Sequence, residues 1–286
     1  MFPFRQILFP VDYSDACAMV APYVKDMAQH FAAELTLLHA YTANVLIPSE
    51  DAATDAEWLG LMQSRQERRL REFAAEMLAD VPARQVIENE DAATAIHAYA
   101  VHEGTDLVML PTEGHGPLRK FLLGSVTAKV LHDTGAAVWT GSRSSLVEQP
   151  LHLPYRSIVC AVDESDETEA VMRLAQAFAG RYGAALAFLH AVPAPSLAWE
   201  IDYAGYQHDL MDVADLRLRE MKDRLGIDAP HHIAGEPLVD AVREEVKRRK
   251  ADLIVAGRGH AQGWLGGTWS RLYSLIRQAP CPVLSV

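Results

Sequence analysis

Hydrophobic positions along the chain fall into two alternating patterns. Short, mostly apolar runs, such as Ile7 to Val11 and Leu35 to Ala40, alternate with longer stretches whose apolar residues recur three and four apart. The first pattern predicts strands buried on both faces and the second predicts amphipathic helices. Strand, helix, strand is the simplest reading of the start, with helices over Ala16 to Phe31 and Thr168 to Tyr182. Longer amphipathic helices follow at Asp55 to Leu78 and Asp209 to Leu225, then short strands near Arg84 to Ile87 and His231 to Ile233. Helices at Ala92 to His102 and Leu238 to Arg249 come next, then a fourth strand, a last helix, and closing apolar segments at Ala136 to Thr140 and Pro282 to Val286.

The chain repeats itself. At an offset of 151, Ile7-Leu8-Phe9-Pro10-Val11-Asp12-Tyr13-Ser14-Asp15 falls on Ile158-Val159-Cys160-Ala161-Val162-Asp163-Glu164-Ser165-Asp166, and Leu37-Leu38-His39-Ala40 falls on Phe188-Leu189-His190-Ala191. Further along the offset is 146, matching Asp106 to Leu110 with Asp252 to Ala256. So long a period marks one duplicated domain and not a solenoid. Strands alternating with helices call for a parallel sheet with right-handed crossovers. The expected organisation is two α/β domains, residues 1–143 and 155–286, joined by a Ser- and Pro-containing linker over Arg143 to Pro154.

Composition narrows the function. Of 286 residues 50% are hydrophobic and 22% charged, an ordinary globular balance, and the net charge is −12 with neither half basic, which disfavours a groove tracking DNA or RNA. The basic run Lys247 to Lys250 fits a helix end, where cations meet the negative end of the dipole. Cys17, Cys160 and Cys281 are three, far apart and without a C-x-x-C pair, so neither a disulfide framework nor a thiolate zinc site is expected, and a reducing cytoplasm is. No signal sequence and no run of apolar residues long enough to span a membrane is read in the chain.

In an open parallel sheet ligands bind beyond the carboxyl ends of the strands, where the strand order reverses. That singles out the turn after the first strand, at Asp12, and the loop that begins at Pro111 and ends in Gly124-Ser125-Val126-Thr127 at the mouth of the last helix. A glycine there, followed by hydroxyl residues, suits an anion, and it equally serves as a plain helix cap. Asp12 and Ser14 have an ordinary role as N-cap residues, and His39 and His190 as satisfied structural imidazoles. His231-His232 lacks an acidic or cysteine neighbour at metal-ligand spacing. No P-loop, nucleophile elbow or H-E-x-x-H pair occurs, and no catalytic base stands out.

Together, Pro10-Val11-Asp12-Tyr13-Ser14, Leu37-Leu38-His39 and the late loop resemble the universal stress protein family, in two tandem copies over almost the whole chain. Nucleotide-binding members of that family carry G-x2-G-x9-G-(S/T) in this loop. The first half matches with Gly114, nine residues, Gly124 and Ser125, and departs only in having Pro111 for the first glycine. The resemblance implies doubly wound sheets of strand order 3-2-1-4-5, of the adenine nucleotide alpha hydrolase-like type. It also implies ATP, or AMP or ADP, in the first half, with Mg²⁺ accompanying ATP. Asp12 would face the ribose or adenine side, Pro10 would line the base, and Ala40 would offer main-chain groups to the adenine edge. Gly114, Gly124, Ser125, Val126 and Thr127 would hold the phosphates. Pro111 lacks an N–H and a positive φ, and Glu113 sets a carboxylate close by.

In the second half His260 takes the place of the second glycine and Trp269 that of the third, so an obstructed pocket is expected there. The implied function is a cytoplasmic stress-response module, nucleotide-bound in its first half, acting on an unidentified protein partner or on its own assembly. The closing strands would pair the halves as an internal pseudo-dimer, and a homodimer of chains is the other assembly considered. A slow ATP hydrolase and a nucleotide-free scaffold are the alternatives.

Overall fold

The computed structural model describes residues 2–43, 52–113, 123–142, 145–146, 153–192, 203–258 and 267–286, without the side chains of 52–56, 203–204 and 267–270. Contacts divide the chain into two units, Met1–Trp139 and Thr140–Val286. Most of the expected linker lies outside the described residues.

The first unit runs β1 (Gln6–Pro10), α1 (Asp15–Phe31), β2 (Glu34–Tyr41), α2 (Ala52–Met77), β3 (Ala83–Asn89), α3 (Ala92–His102), β4 (Leu107–Pro111), α4 (Ser125–Asp133), with β5 (Ala137–Gly141) closing the sheet. Its strand order is β3-β2-β1-β4-β5. The pairings of β1 with β2 and β4, and of β2 with β3, are parallel, with Ile7 opposite both Leu35 and Leu107. The second unit repeats this with β6 (Ser157–Val162), α5 (Thr168–Tyr182), β7 (Ala185–Ala191), α6 (Tyr203–Leu225), β8 (His231–Ala234), α7 (Leu238–Arg249), β9 (Leu253–Ala256), α8 (Gly267–Gln278) and β10 (Val283–Ser285). Its order is β8-β7-β6-β9-β10, again parallel, so both sheets have the order 3-2-1-4-5.

The central strands carry no alternation because helices cover both faces. Ile7, Leu8 and Phe9 in β1 and Ile158, Val159 and Cys160 in β6 are all buried. Each fully buried aliphatic or aromatic side chain stabilises the fold by roughly 1.5–3 kcal/mol. The duplication extends to aromatic packing: Phe4 meets Phe31 edge-on at 5.4 Å, and Tyr155 meets Tyr182 edge-on at 5.2 Å.

The amino ends of the sheets are clasped alike. Asp106 Oδ2 accepts from the amides of Arg5 (2.8 Å) and Gln6 (3.1 Å), and Asp252 accepts from those of Arg156 (2.8 Å) and Ser157 (3.1 Å). The basic helix end is tighter than the sequence implied. Buried Glu245 accepts from Arg248 and Arg249, and the chain leaves α7 through Lys250 in the left-handed region (φ 51°). Among the described residues no helix is long and apolar enough to cross a membrane.

Candidate functional site

Parallel strands bring the ends of β1, β2 and β4 to one edge of the first sheet. Pro10 closes β1 and is half-buried; Ala40, also half-buried, lies near the end of β2 opposite Glu88; buried Pro111 closes β4. Asp12 begins the turn into α1. Its Oδ1 accepts from the Ser14 amide (2.9 Å) and hydroxyl (2.6 Å), while Ser14 Oγ caps α1 by accepting from the Cys17 amide at 3.1 Å. Ser14 therefore does the capping work expected of it, whereas Asp12 holds the cap residue, does not itself cap the helix, and is held in one orientation at the strand end.

Across the edge, the Gly124 amide donates to Thr112 O (2.8 Å) and Thr127 Oγ1 donates to Pro111 O (2.9 Å), folding the end of β4 onto the start of α4. A Cβ on Gly124 would lie 3.3 Å from Thr112 O, a tight contact that the Thr112 backbone could relieve only by shifting. Among the described residues no side chain caps α4, whose first turn holds exposed Ser125, half-buried Val126 and buried Thr127. Their amides have no carbonyl four residues back within the helix, and they carry the positive end of the dipole. Gly114, the remaining predicted phosphate residue, lies outside the described residues.

Tyr13 is the residue the sequence reading missed. It sits at φ 62°, unusual for a bulky residue, and its ring packs on His39 (4.5 Å between centroids) and Phe73 (5.9 Å). The Arg69 guanidinium lies 4.2 Å from the ring centre. Its buried hydroxyl and the buried Gln66 Oε1 have no hydrogen-bond partner among the described residues. Burial pushes the Tyr13 phenol up to about 12, against a smaller opposing pull from Arg69. Gln66, Arg69 and Phe73 share one face of α2, a spacing visible in the sequence but shared with any amphipathic helix. His39 is structural as expected: its Nδ1 donates to Val11 O at 2.7 Å, and burial, reinforced by Arg69, holds its pKa below the ordinary value.

The second sheet keeps part of this plan. His190 Nδ1 donates to Val162 O (2.9 Å), and Asp163 Oδ1 accepts from the Ser165 amide, the Ser165 hydroxyl and the Thr168 hydroxyl. Burial raises the Asp163 pKa, and these hydrogen bonds outweigh it, leaving a net lowering. Ser165 does not cap the helix as Ser14 does, because α5 starts only at Thr168 with no side-chain cap from Glu167.

Where the first half has Tyr13, the second has Glu164, drawn to Arg217 of α6 by two bonds of 2.9 Å. The side chain of Trp269, on which the expected obstruction rests, lies outside the described residues. A cavity of about 830 Å³ opens at the carboxyl edge of β6 and β9, lined chiefly by aliphatic side chains. The backbone of α8 begins at Gly267, so Trp269 stands in its first turn. His260 lies outside the described residues. His231 and His232 do have acidic partners, brought from distant helices: Asp215 at 2.8 Å and Glu245 at 3.2 Å.

Comparison with known proteins decides the family. The universal stress protein family model matches residues 3–140 and again 154–286. The chain belongs to the universal stress protein family. A universal stress protein of Thermus aquaticus is 30% identical over 142 residues, covering 47% of this chain and 96% of its own. Among solved structures, a universal stress protein from Archaeoglobus fulgidus superposes with a TM-score of 0.66 at 19% identity, over 99% of this chain and 98% of its own. A putative universal stress protein from Pseudomonas aeruginosa gives 0.63 at 18% identity, over 99% and 93%. These last two support the tandem fold. This stress protein thus has two copies of one fold whose carboxyl edges differ in chemistry.

Proposed function

We propose that this stress protein is a cytoplasmic regulatory module that holds one adenine nucleotide, ATP or its AMP or ADP forms, at the carboxyl edge of the first sheet. The observation carrying this reading is the glycine-mouthed start of α4. Gly124 has no side chain between backbone and ligand and so offers none to cap the first amides, and Ser125 adds an exposed hydroxyl. Asp12 stands at the end of the neighbouring strand, suited to a ribose hydroxyl, with Pro10 and Ala40 placed for the base. Mg²⁺ would arrive with the phosphates of ATP. Among the described residues no group of three or more His, Cys, Asp or Glu gathers to hold a metal by itself.

The packed Tyr13 ring favours one competing reading, a nucleotide-free scaffold in which side chains close the first pocket. Native mass spectrometry of gently purified protein separates the two. A mass increment of one adenine nucleotide per chain, removed by exhaustive dialysis and restored by ATP, is the expected result. Protein that is free of nucleotide and fails to take up added ATP would support the scaffold. No catalytic base stands out in the sequence, so phosphate release from bound ATP is expected to be absent or slow.

A further inference from the structure

We propose that the cavity at the carboxyl edge of the second sheet binds a neutral aliphatic alcohol, an apolar body carrying one hydroxyl, and takes neither a charged ligand nor a nucleotide. At about 830 Å³ the cavity is of the size that encloses a small organic ligand. Its floor is the end of the strands, at Val162 and Ala256, and its walls come from three helices. Leu210 and Val213 face it from α6, Leu238 from the start of α7, and Leu275 from α8. An apolar body against such walls leaves water, which drives binding without calling for a charge.

Each charged group that the described residues bring to this cavity already has its partners or stands in water. Arg217 of α6 donates twice to Glu164, at 2.9 Å each. Asp163 Oδ1 takes the Ser165 amide and hydroxyl and the Thr168 hydroxyl. Arg258, half-buried just past β9, is engaged and faces the charge of Glu167. Arg271 is exposed on α8. A carboxylate or an ammonium on a ligand would leave water here without gaining a counter-ion, a cost that works against the apolar gain.

His190 supplies an acceptor for a neutral head. It lines the cavity from β7, and its Nδ1 donates to Val162 O at 2.9 Å. In the neutral ring the other nitrogen, Nε2, is then an acceptor, and a ligand hydroxyl is the donor that suits it. A nucleotide is served less well. Its phosphates would meet no uncommitted buried cation among the described residues, and the main-chain groups just past β7, which would have to meet a base edge, are engaged. The Val192 amide donates to Ala234 O (2.8 Å), and Gln207 Nε2 donates to Val192 O (3.1 Å) and Gly235 O (2.8 Å).

Isothermal titration calorimetry of the full chain at about pH 8, where an ordinary histidine is neutral, tests this with octanol, methoxyoctane, octanoate, octylammonium and MgATP as probes. Octanol should bind at one site per chain. Octanoate and octylammonium should each bind at least about tenfold more weakly. Methoxyoctane, which cannot donate a hydrogen bond, should bind several-fold more weakly. Saturating MgATP should leave the octanol titration unchanged. His190→Phe should keep alkyl binding while bringing octanol down to the level of methoxyoctane. Val213→Trp, which fills the cavity from a residue 46% exposed, should remove binding of every alkyl probe and serves as the test should His190→Phe not fold. The proposal is overturned if octanol does not bind, if either ion or methoxyoctane binds as tightly, if ATP displaces octanol, or if Val213→Trp changes nothing.

Discussion

At the scale of single residues, Tyr13 and Asp12 show what a sequence conveys and what it withholds. An Asp and a Ser just past an apolar run announce a helix cap, and Ser14 does cap α1. The left-handed backbone of Tyr13 is not announced, because its ring is held there by His39, Arg69 and Phe73, which come from other elements. Tyr13 should lose its proton near pH 12, not at the ordinary 10. Its raised folded pKa favours the protonated state, so this contribution is intact below pH 10 and is lost as pH rises toward 12. The difference in ultraviolet titration between the wild type and Tyr13→Phe should show this late phenol; a missing component centred at 10 would contradict it. The cysteines give a second expectation at this scale. Cys17 is buried and its thiol is raised to about 12, by burial first and then by the charge of Asp12. Cys160 and Cys281 are raised by burial as well. Thiol-reactive dye at pH 8 should therefore label none of the three in the native protein and all three in denaturant.

Among elements, periodicity was informative wherever burial is regular. Apart from α6, which starts at Tyr203 and not at the expected Asp209, the strands and helices of both halves lie within a few residues of where the apolar spacing puts them, since helices covering both sheet faces force continuous apolar strands. Ends were less legible, because caps depend on local geometry: α5 starts two residues later than its counterpart by the repeat, after Asp163 has gathered the Ser165 and Thr168 hydroxyls. The helix exits also diverge. Gly183 ends α5 at φ 65°, whereas Ala32 ends α1 at φ 50° and carries a Cβ into the left-handed region. Ala32→Gly should therefore stabilise the protein by about 1 kcal/mol in urea unfolding, and Gly183→Ala should cost a similar amount. The aspartate clasps lead to a larger effect. Asp252→Ala leaves two strand-end amides without their acceptor and should destabilise by roughly 1–3 kcal/mol, seen as a lower urea midpoint; an unchanged midpoint would show that water replaces the carboxylate without loss.

For the whole molecule, the duplication was visible at once because Val-Asp-x-Ser-Asp recurs with the strand that follows it. The difference between the two carboxyl edges was only half visible. Gly124 and its neighbours could be placed from spacing, since they are consecutive in sequence. The cavity of the second half could not, because its walls come from three helices well apart in the chain. The central claim is that only the first edge takes a nucleotide. Calorimetry of the full chain with MgATP tests it most directly, with Gly124→Trp as the partner variant. The account predicts one nucleotide per chain in the wild type and none in Gly124→Trp, where an indole at the start of α4 would stand where the phosphates must meet the first amides. Two equivalent sites per chain, or undiminished binding in Gly124→Trp, would contradict it.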